Sequence, residues 1–185
     1  MKFDLATHAA AMRLMLLRHA KAVAAEAGTT DRDRGLTPRG RNDALKIGKY
    51  MAHHALLPTR AIVSTARRTR ETWERVLSTF PQPCPSDYLD ELYDARPEDI
   101  LGAIREVDGS PPTLLVVGHN PGVHELARLL IASGEVEARE QLNEGLPTSG
   151  LAIIDFAGDR WELLRGRGGR LERFISPRLI KMSTD

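Results

Sequence analysis

The chain has 185 residues, 42% hydrophobic and 28% charged, with 26 basic against 25 acidic side chains for a formal charge of +1. These values exclude a disordered or collagen-like chain, and the even balance argues against a general nucleic-acid binder, which is expected to be basic. One cysteine, Cys84, excludes an internal disulfide framework and a cysteine-rich zinc site; its simplest setting is the reducing cytoplasm.

No apolar run is long enough to span a membrane, and residues 1–12 lack the apolar core and cleavage site of a secretory signal. They read as a short helix or a loose extension before a single domain over residues 13–185. Leu14-Met15-Leu16-Leu17 is a continuous apolar run that turns polar at Arg18-His19, the pattern of a buried parallel strand and the loop after it. Residues 22–36 read as a loop. Thr37-Pro38 is an N-cap followed by proline, opening a helix whose apolar face holds Ala44, Ile47 and Met51. Ala61-Ile62-Val63 predicts a second buried strand. Ser64 and Thr65 are candidate caps for a helix carrying Thr69, Trp73, Val76 and Leu77, which Pro81 stops. Residues 81–87 are proline-rich and predict a connection. Pro97 opens another helix, with Glu98 and Asp99 matched to its positive end.

Leu114 to Val117 predicts a third buried strand, followed at once by Gly118-His119-Asn120-Pro121-Gly122. Asn120 can cap and Pro121 can start the next helix, whose inner face is Val123, Leu126, Ala127 and Leu130. Leu151 to Phe156, a turn at Ala157-Gly158-Asp159, and Trp161 to Leu164 read as a closing hairpin. Alternating strands and helices predict an α/β fold, a three-layer α/β/α arrangement with a mainly parallel central sheet.

Ligands of open α/β sheets gather beyond the carboxyl ends of the strands. Three such ends carry Arg18-His19, Ser64 leading into Arg67-Arg68, and His119-Asn120. Two histidines and at least two arginines can therefore meet in one crevice beside helix N-termini, a setting suited to phosphate. A neutral imidazole is a nucleophile, and nearby guanidinium groups both disfavour its protonation and stabilise a phosphoryl group in transfer.

These segments resemble a known family. Leu16-Leu17-Arg18-His19-Ala20-Lys21 resembles the Arg-His-Gly signature of the histidine phosphatase superfamily, or phosphoglycerate mutase-like proteins, with alanine in the third position as in its SixA-like phosphohistidine phosphatase branch. Arg34 to Gly40, Ser64 to Thr72 with Arg68 in the arginine place, Leu92 to Ala95, Gly118 to Gly122, and Leu146 to Phe156 resemble later motifs of that branch, in order, over about residues 13–180. The resemblance implies the phosphoglycerate mutase-like fold. It makes His19 the nucleophile that becomes phosphorylated and Arg18, Arg68 and His119 the ligands of the phosphoryl oxygens, with no metal and no cofactor. Glu91 stands in a place similar to that of the acid that donates a proton in many members. The donor remains open between Glu91, nearby Asp94 and none, since an imidazole leaving group needs less proton assistance than an alkoxide.

The function expected is hydrolysis of protein phosphohistidine in signalling, in the cytoplasm, with no nucleic-acid or membrane partner. The alternatives are a small-molecule phosphomonoester phosphatase or mutase of the same superfamily and, from another class, a non-catalytic phosphate-binding module. His53, His54 and His124 lack metal-ligand spacing and read as structural. Cys84 has no evident histidine partner, and the run from Arg165 to Arg170 reads as a solvated loop.

Overall fold

The computed structural model describes residues 11–182. Strand β1 (Ala11–Arg18) begins two residues before the expected domain boundary, so Ala11 and Met12 belong to the sheet, while the expected extension over residues 1–10 lies outside the described residues. In chain order follow α1 (Pro38–His53), β2 (Arg60–Ser64), α2 (Arg67–Leu77), β3 (Ser86–Leu89), α3 (Pro97–Arg105), β4 (Thr113–Gly118) and α4 (Gly122–Leu130). The remainder is β5 (Ile131–Gly134), α5 (Val136–Glu144), β6 (Leu151–Ala157), β7 (Gly169–Ile175) and α6 (Pro177–Met182).

The seven strands form one sheet in the order β3-β2-β4-β1-β6-β7-β5. The pairs β2–β3, β2–β4, β1–β4 and β5–β7 are parallel, whereas β6 runs antiparallel to both β1 and β7. This is the expected mainly parallel α/β architecture. The apolar strands are continuous because both faces are covered. Leu14 and Leu16 of β1, with Leu114 and Val116 of β4, pack with α3 and α4 residues such as Ile104 and Leu126. Met15 and Leu17, with Leu115 and Val117, pack on the other side with Ile47, Met51, Trp73 and Val76 of α1 and α2. A bidentate Arg13–Asp155 pair, with both contacts at 2.6 Å, ties β1 to β6 at directly opposed register positions.

Helix α1 starts as expected: the Thr37 hydroxyl accepts from the Gly40 N–H at 2.9 Å, and Pro38 needs no partner. Gly40 is required there, since a Cβ would stand 2.2 Å from the Lys21 carbonyl oxygen. Gly122 is required likewise at the start of α4, where a Cβ would meet the Ala95 carbonyl oxygen at 2.0 Å.

Three expectations are corrected. The closing hairpin does not use Trp161 to Leu164; these form a 3-10 turn at Trp161–Leu163, and the partner strand is β7. The reason is tertiary: the buried Trp161 indole donates to the Pro111 carbonyl at 2.8 Å, and the Leu164 carbonyl accepts from Arg105, so the segment closes the end of the sheet instead of extending it. The connection at residues 81–87 ends in β3, a half-exposed edge strand whose Ser-Asp-Tyr-Leu sequence carries little strand patterning. Helix α2 starts after Ala66, which makes no side-chain cap, and Ser64 and Thr65 turn to other partners. No helix among the described residues is long and apolar enough to cross a membrane.

Candidate active site

The carboxyl ends of β1, β2 and β4 lie side by side, since Arg18 is opposite Gly118 in register and Val63 opposite Val117. Antiparallel β6 adds its amino end to the same edge, where Leu151 faces Leu17. The Leu146–Gly150 segment therefore joins the three strand ends.

His19 follows β1 and is half-buried. Its backbone N–H donates to the Gly118 carbonyl at 3.1 Å, and its own carbonyl accepts from Ser149 N–H at 3.2 Å, so its main chain is held from both sides. Its ring Nδ1 lies 2.7 Å from the Ala20 carbonyl oxygen. A carbonyl only accepts, so Nδ1 carries the proton and the neutral ring presents its Nε2 lone pair. The His119 ring stands with its centroid 5.3 Å from that of His19, and the Tyr93 ring meets His119 edge-on at 5.6 Å. Ser64 Oγ lies 2.8 Å from His119 Nε2 and accepts from the Ala66 N–H at 3.4 Å. With the Ser64 hydroxyl donating to Nε2, Nδ1 of His119 carries the ring N–H and has no partner of its own.

Arg68 is buried at the start of α2 and points to the 3-10 turn at Asp31–Asp33. Its two terminal nitrogens donate to the Asp31 carbonyl at 2.7 Å and the Asp31 carboxylate at 3.0 Å. The same carboxylate accepts from the Tyr93 hydroxyl at 2.7 Å and pairs with Arg34. Arg18 donates from Nη1 to the Leu146 carbonyl at 3.0 Å, and Asn120 Nδ2 donates to the same oxygen at 2.8 Å.

Five buried polar side-chain atoms lack a partner within the described protein: Arg18 Nε, Arg68 Nε, His119 Nδ1, Asn120 Oδ1 and Ser149 Oγ. All five belong to the residues just placed. Buried polar groups are paired in the great majority of cases, so five orphans in one place mark a ligand site. Ser149 also holds a left-handed backbone, φ 59°, of the kind that concentrates at functional turns.

Burial pushes the His19 imidazole down to about 4, against the Ala20 hydrogen bond, and Arg68, Arg18 and Arg34 lower it further. Burial likewise pushes His119 down to about 3, with His19 and Arg68 adding to the shift. Both rings are neutral near pH 7. The Tyr93 hydroxyl, with Arg34 and Arg68, holds the Asp31 carboxyl well below the ordinary carboxylate range.

The structure thus brings together His19, Arg18, Arg68 and His119. Glu91 is exposed on the 3-10 turn at Asp90–Leu92, between Asp90, which accepts from Thr65, and Tyr93, which donates to Asp31, and makes no hydrogen bond or ion pair of its own among the described residues. Asp94 is exposed as well. Sequence reading missed Asp31, Ser64 as a partner of His119, Tyr93, Asn120 and Ser149. The Asp31–Arg68 and Ser149–His19 contacts span loops that carry no periodic signal, although the resemblance had marked the segments holding Ser64, Tyr93, Asn120 and Ser149. Outside the site, His53 and His54 are exposed, His124 Nε2 contacts the Leu142 carbonyl at 2.7 Å, and burial pushes the Cys84 thiol up to about 11, which leaves it unreactive.

Residues 14–99 match the family described as the histidine phosphatase superfamily (branch 1). An uncharacterized protein of Mycobacterium tuberculosis is 35% identical over 144 residues, 77% of this chain and 88% of the relative. The protein of Agrobacterium tumefaciens that carries the name phosphohistidine phosphatase SixA is 34% identical, with a TM-score of 0.76 over 90% of this chain and 98% of its own. The similarly named protein of Nakamurella multipartitia is 29% identical, with a TM-score of 0.77 over 90% of this chain and 96% of its own. With Arg18-His19 and the residues around them inside the matched segment, the chain belongs to the histidine phosphatase superfamily, branch 1.

Proposed function

We propose that the protein is a phosphatase that transfers a phosphoryl group to His19 Nε2 and then to water, and that its substrate is a phosphohistidine side chain on another protein. Members of this superfamily are phosphatases and mutases, and the SixA name of the structural relatives points to the narrower activity. The observation that carries the reading is the set of orphaned donors around His19: Arg18 Nε, Arg68 Nε, His119 Nδ1 and Ser149 Oγ. Such donors suit the oxygens of a phosphoryl group.

In the proposed first step the His19 Nε2 lone pair forms a bond to phosphorus and the bond to the leaving group breaks. The Ala20 carbonyl, already holding the Nδ1 proton, stabilises the ring as it becomes cationic. The guanidinium groups of Arg18 and Arg68 balance charge on the transferring group, the task a metal ion performs in other phosphoryl-transfer sites, so the proposed chemistry runs without one. Water then attacks phosphorus and frees His19. No carboxylic acid among the described residues is hydrogen-bonded to the nucleophile; Asp31 is ionised, and Glu91 makes no hydrogen bond to these residues. A site without a strong acid favours a leaving group that departs readily, such as imidazole, over the alkoxide of a sugar phosphate.

The reading takes the expected domain over residues 13–185, widened by Ala11 and Met12 of β1, as one catalytic domain that works in the cytoplasm on a phosphorylated protein, without nucleic-acid or membrane partners. Its test is a phosphohistidine-bearing transfer protein incubated with wild type and with His19→Asn. Wild type is expected to release phosphate and to form an acid-labile phosphoenzyme, and the variant to do neither. Equal turnover by the variant refutes the nucleophile, and binding without turnover by wild type leaves a phosphate-binding module.

A further inference from the structure

Four of the five orphaned atoms can donate and suit phosphoryl oxygens; the fifth, Asn120 Oδ1, can only accept. A phosphoryl dianion has no hydrogen to give it. The orientation of the amide is set by the Leu146 carbonyl, 2.8 Å from Nδ2, because a carbonyl pairs with the amide nitrogen and not with its oxygen. Asn120 and Arg18 together line a cavity of about 750 Å³ that continues past Leu146, Pro147 and Phe174. Arg18 and Asn120 therefore belong both to the cluster of orphaned polar groups and to the wall of an open cavity large enough for a side chain, and Asn120 carries its unpaired acceptor within that wall.

We infer that this cavity is the leaving-group subsite, and that Asn120 Oδ1 accepts the N–H of a protonated azole: the substrate is a phosphoramidate whose departing ring carries a proton on its far nitrogen. This rests on the phosphatase reading and deepens it. The ring takes that proton from solvent before binding. As His19 Nε2 bonds to phosphorus, the P–N bond breaks and its electron pair stays on the departing nitrogen. The imidazole leaves neutral, its N–H still directed at Asn120, and no general acid is needed. The hydrogen bond discriminates between substrates because only a leaving group with a donor at that place satisfies the buried oxygen.

The test compares N-phosphoimidazole with its N-methyl analogue, phosphorylated on one nitrogen and methylated on the other, at about pH 6, where an imidazole-type nitrogen is largely protonated. The two carry the same charge and differ by N–H against N–CH3. The readout is the ratio of their kcat/KM values, in which any damage to the Leu146 turn cancels. Asn120→Leu, similar in size but without an acceptor, is expected to lower the ratio about tenfold or more, and Asn120→Asp, which keeps an oxygen, to retain it. A ratio unmoved by Asn120→Leu overturns the inference. So does a fall in kcat alone on both compounds, which would place Asn120 on the hydrolytic water. If wild type cleaves p-nitrophenyl phosphate while the ratio stays put, the phosphatase reading survives and this inference fails. If wild type cleaves no phosphorylated compound, both fail.

Discussion

The two facing imidazoles make a prediction about acid stability. In the unfolded chain each titrates near the ordinary value of 6.5, whereas in the fold burial holds His19 near about 4 and His119 near about 3. As pH falls below 6.5 the unfolded chain takes up protons that the folded chain refuses, so the stability present above that value is lost on the way down to about 3. At about pH 5 both folded rings are still mostly neutral, and the loss is set by the unfolded value alone: ~1.4 kcal/mol per pH unit over ~1.5 units, or about 2 kcal/mol per imidazole. The assay is urea unfolding at about pH 8 and about pH 5 for wild type, His19→Gln and His119→Gln. Each variant is expected to lose about 2 kcal/mol less than wild type between the two conditions. His119 keeps a depressed pKa without His19, because burial is its largest cause. An identical pH dependence in wild type and both variants would mean that the rings are solvated, and the shared site would not exist.

Further outcomes follow from the same contacts. Ser64→Ala leaves His119 Nε2 buried without its 2.8 Å partner; we expect a cost of about 1–3 kcal/mol in unfolding and roughly a tenfold fall in kcat/KM on a phosphoramidate. Arg68→Lys keeps the charge but cannot direct two nitrogens at Asp31 while a third faces the substrate; kcat/KM on p-nitrophenyl phosphate is expected to drop about a hundredfold, and an unchanged value would remove Arg68 from the site. Gly40→Ala puts a methyl 2.2 Å from the Lys21 carbonyl oxygen, two residues from His19, so thermal unfolding should show a loss of about 1–3 kcal/mol accompanied by a lower turnover. Glu91→Gln, on an exposed turn, is expected to keep phosphoramidate turnover within about threefold of wild type; a hundredfold loss would establish Glu91 as the proton donor after all.

Three buried strands, each an apolar run broken by a polar pair, were legible in sequence because a strand covered on both faces has no polar side to disguise it. Their ends are where a parallel sheet gathers its ligands, so Arg18, His19, an arginine of the Arg67-Arg68 pair and His119 are legible together from sequence, and the family resemblance singles out Arg68. The edge strand β3 and the shift of the last hairpin to β7 were not legible. The first is too short and exposed to carry a pattern, and the second depends on where Trp161 finds a hydrogen-bond acceptor, the Pro111 carbonyl.

What amino-acid order alone determined is which groups gather at the strand ends: histidine and arginine, in a chain with no net charge to speak of. What only the folded chain decided is the state of those groups. The Ala20 carbonyl selects the tautomer of His19, Ser64 pairs with Nε2 of His119, and Asp31 occupies two of the nitrogens of Arg68. Antiparallel β6 brings Ser149 to His19 from the far end of the sequence. Hydrogen bonds of this kind join residues tens of positions apart and depend on angles and ångströms, which a linear pattern does not encode.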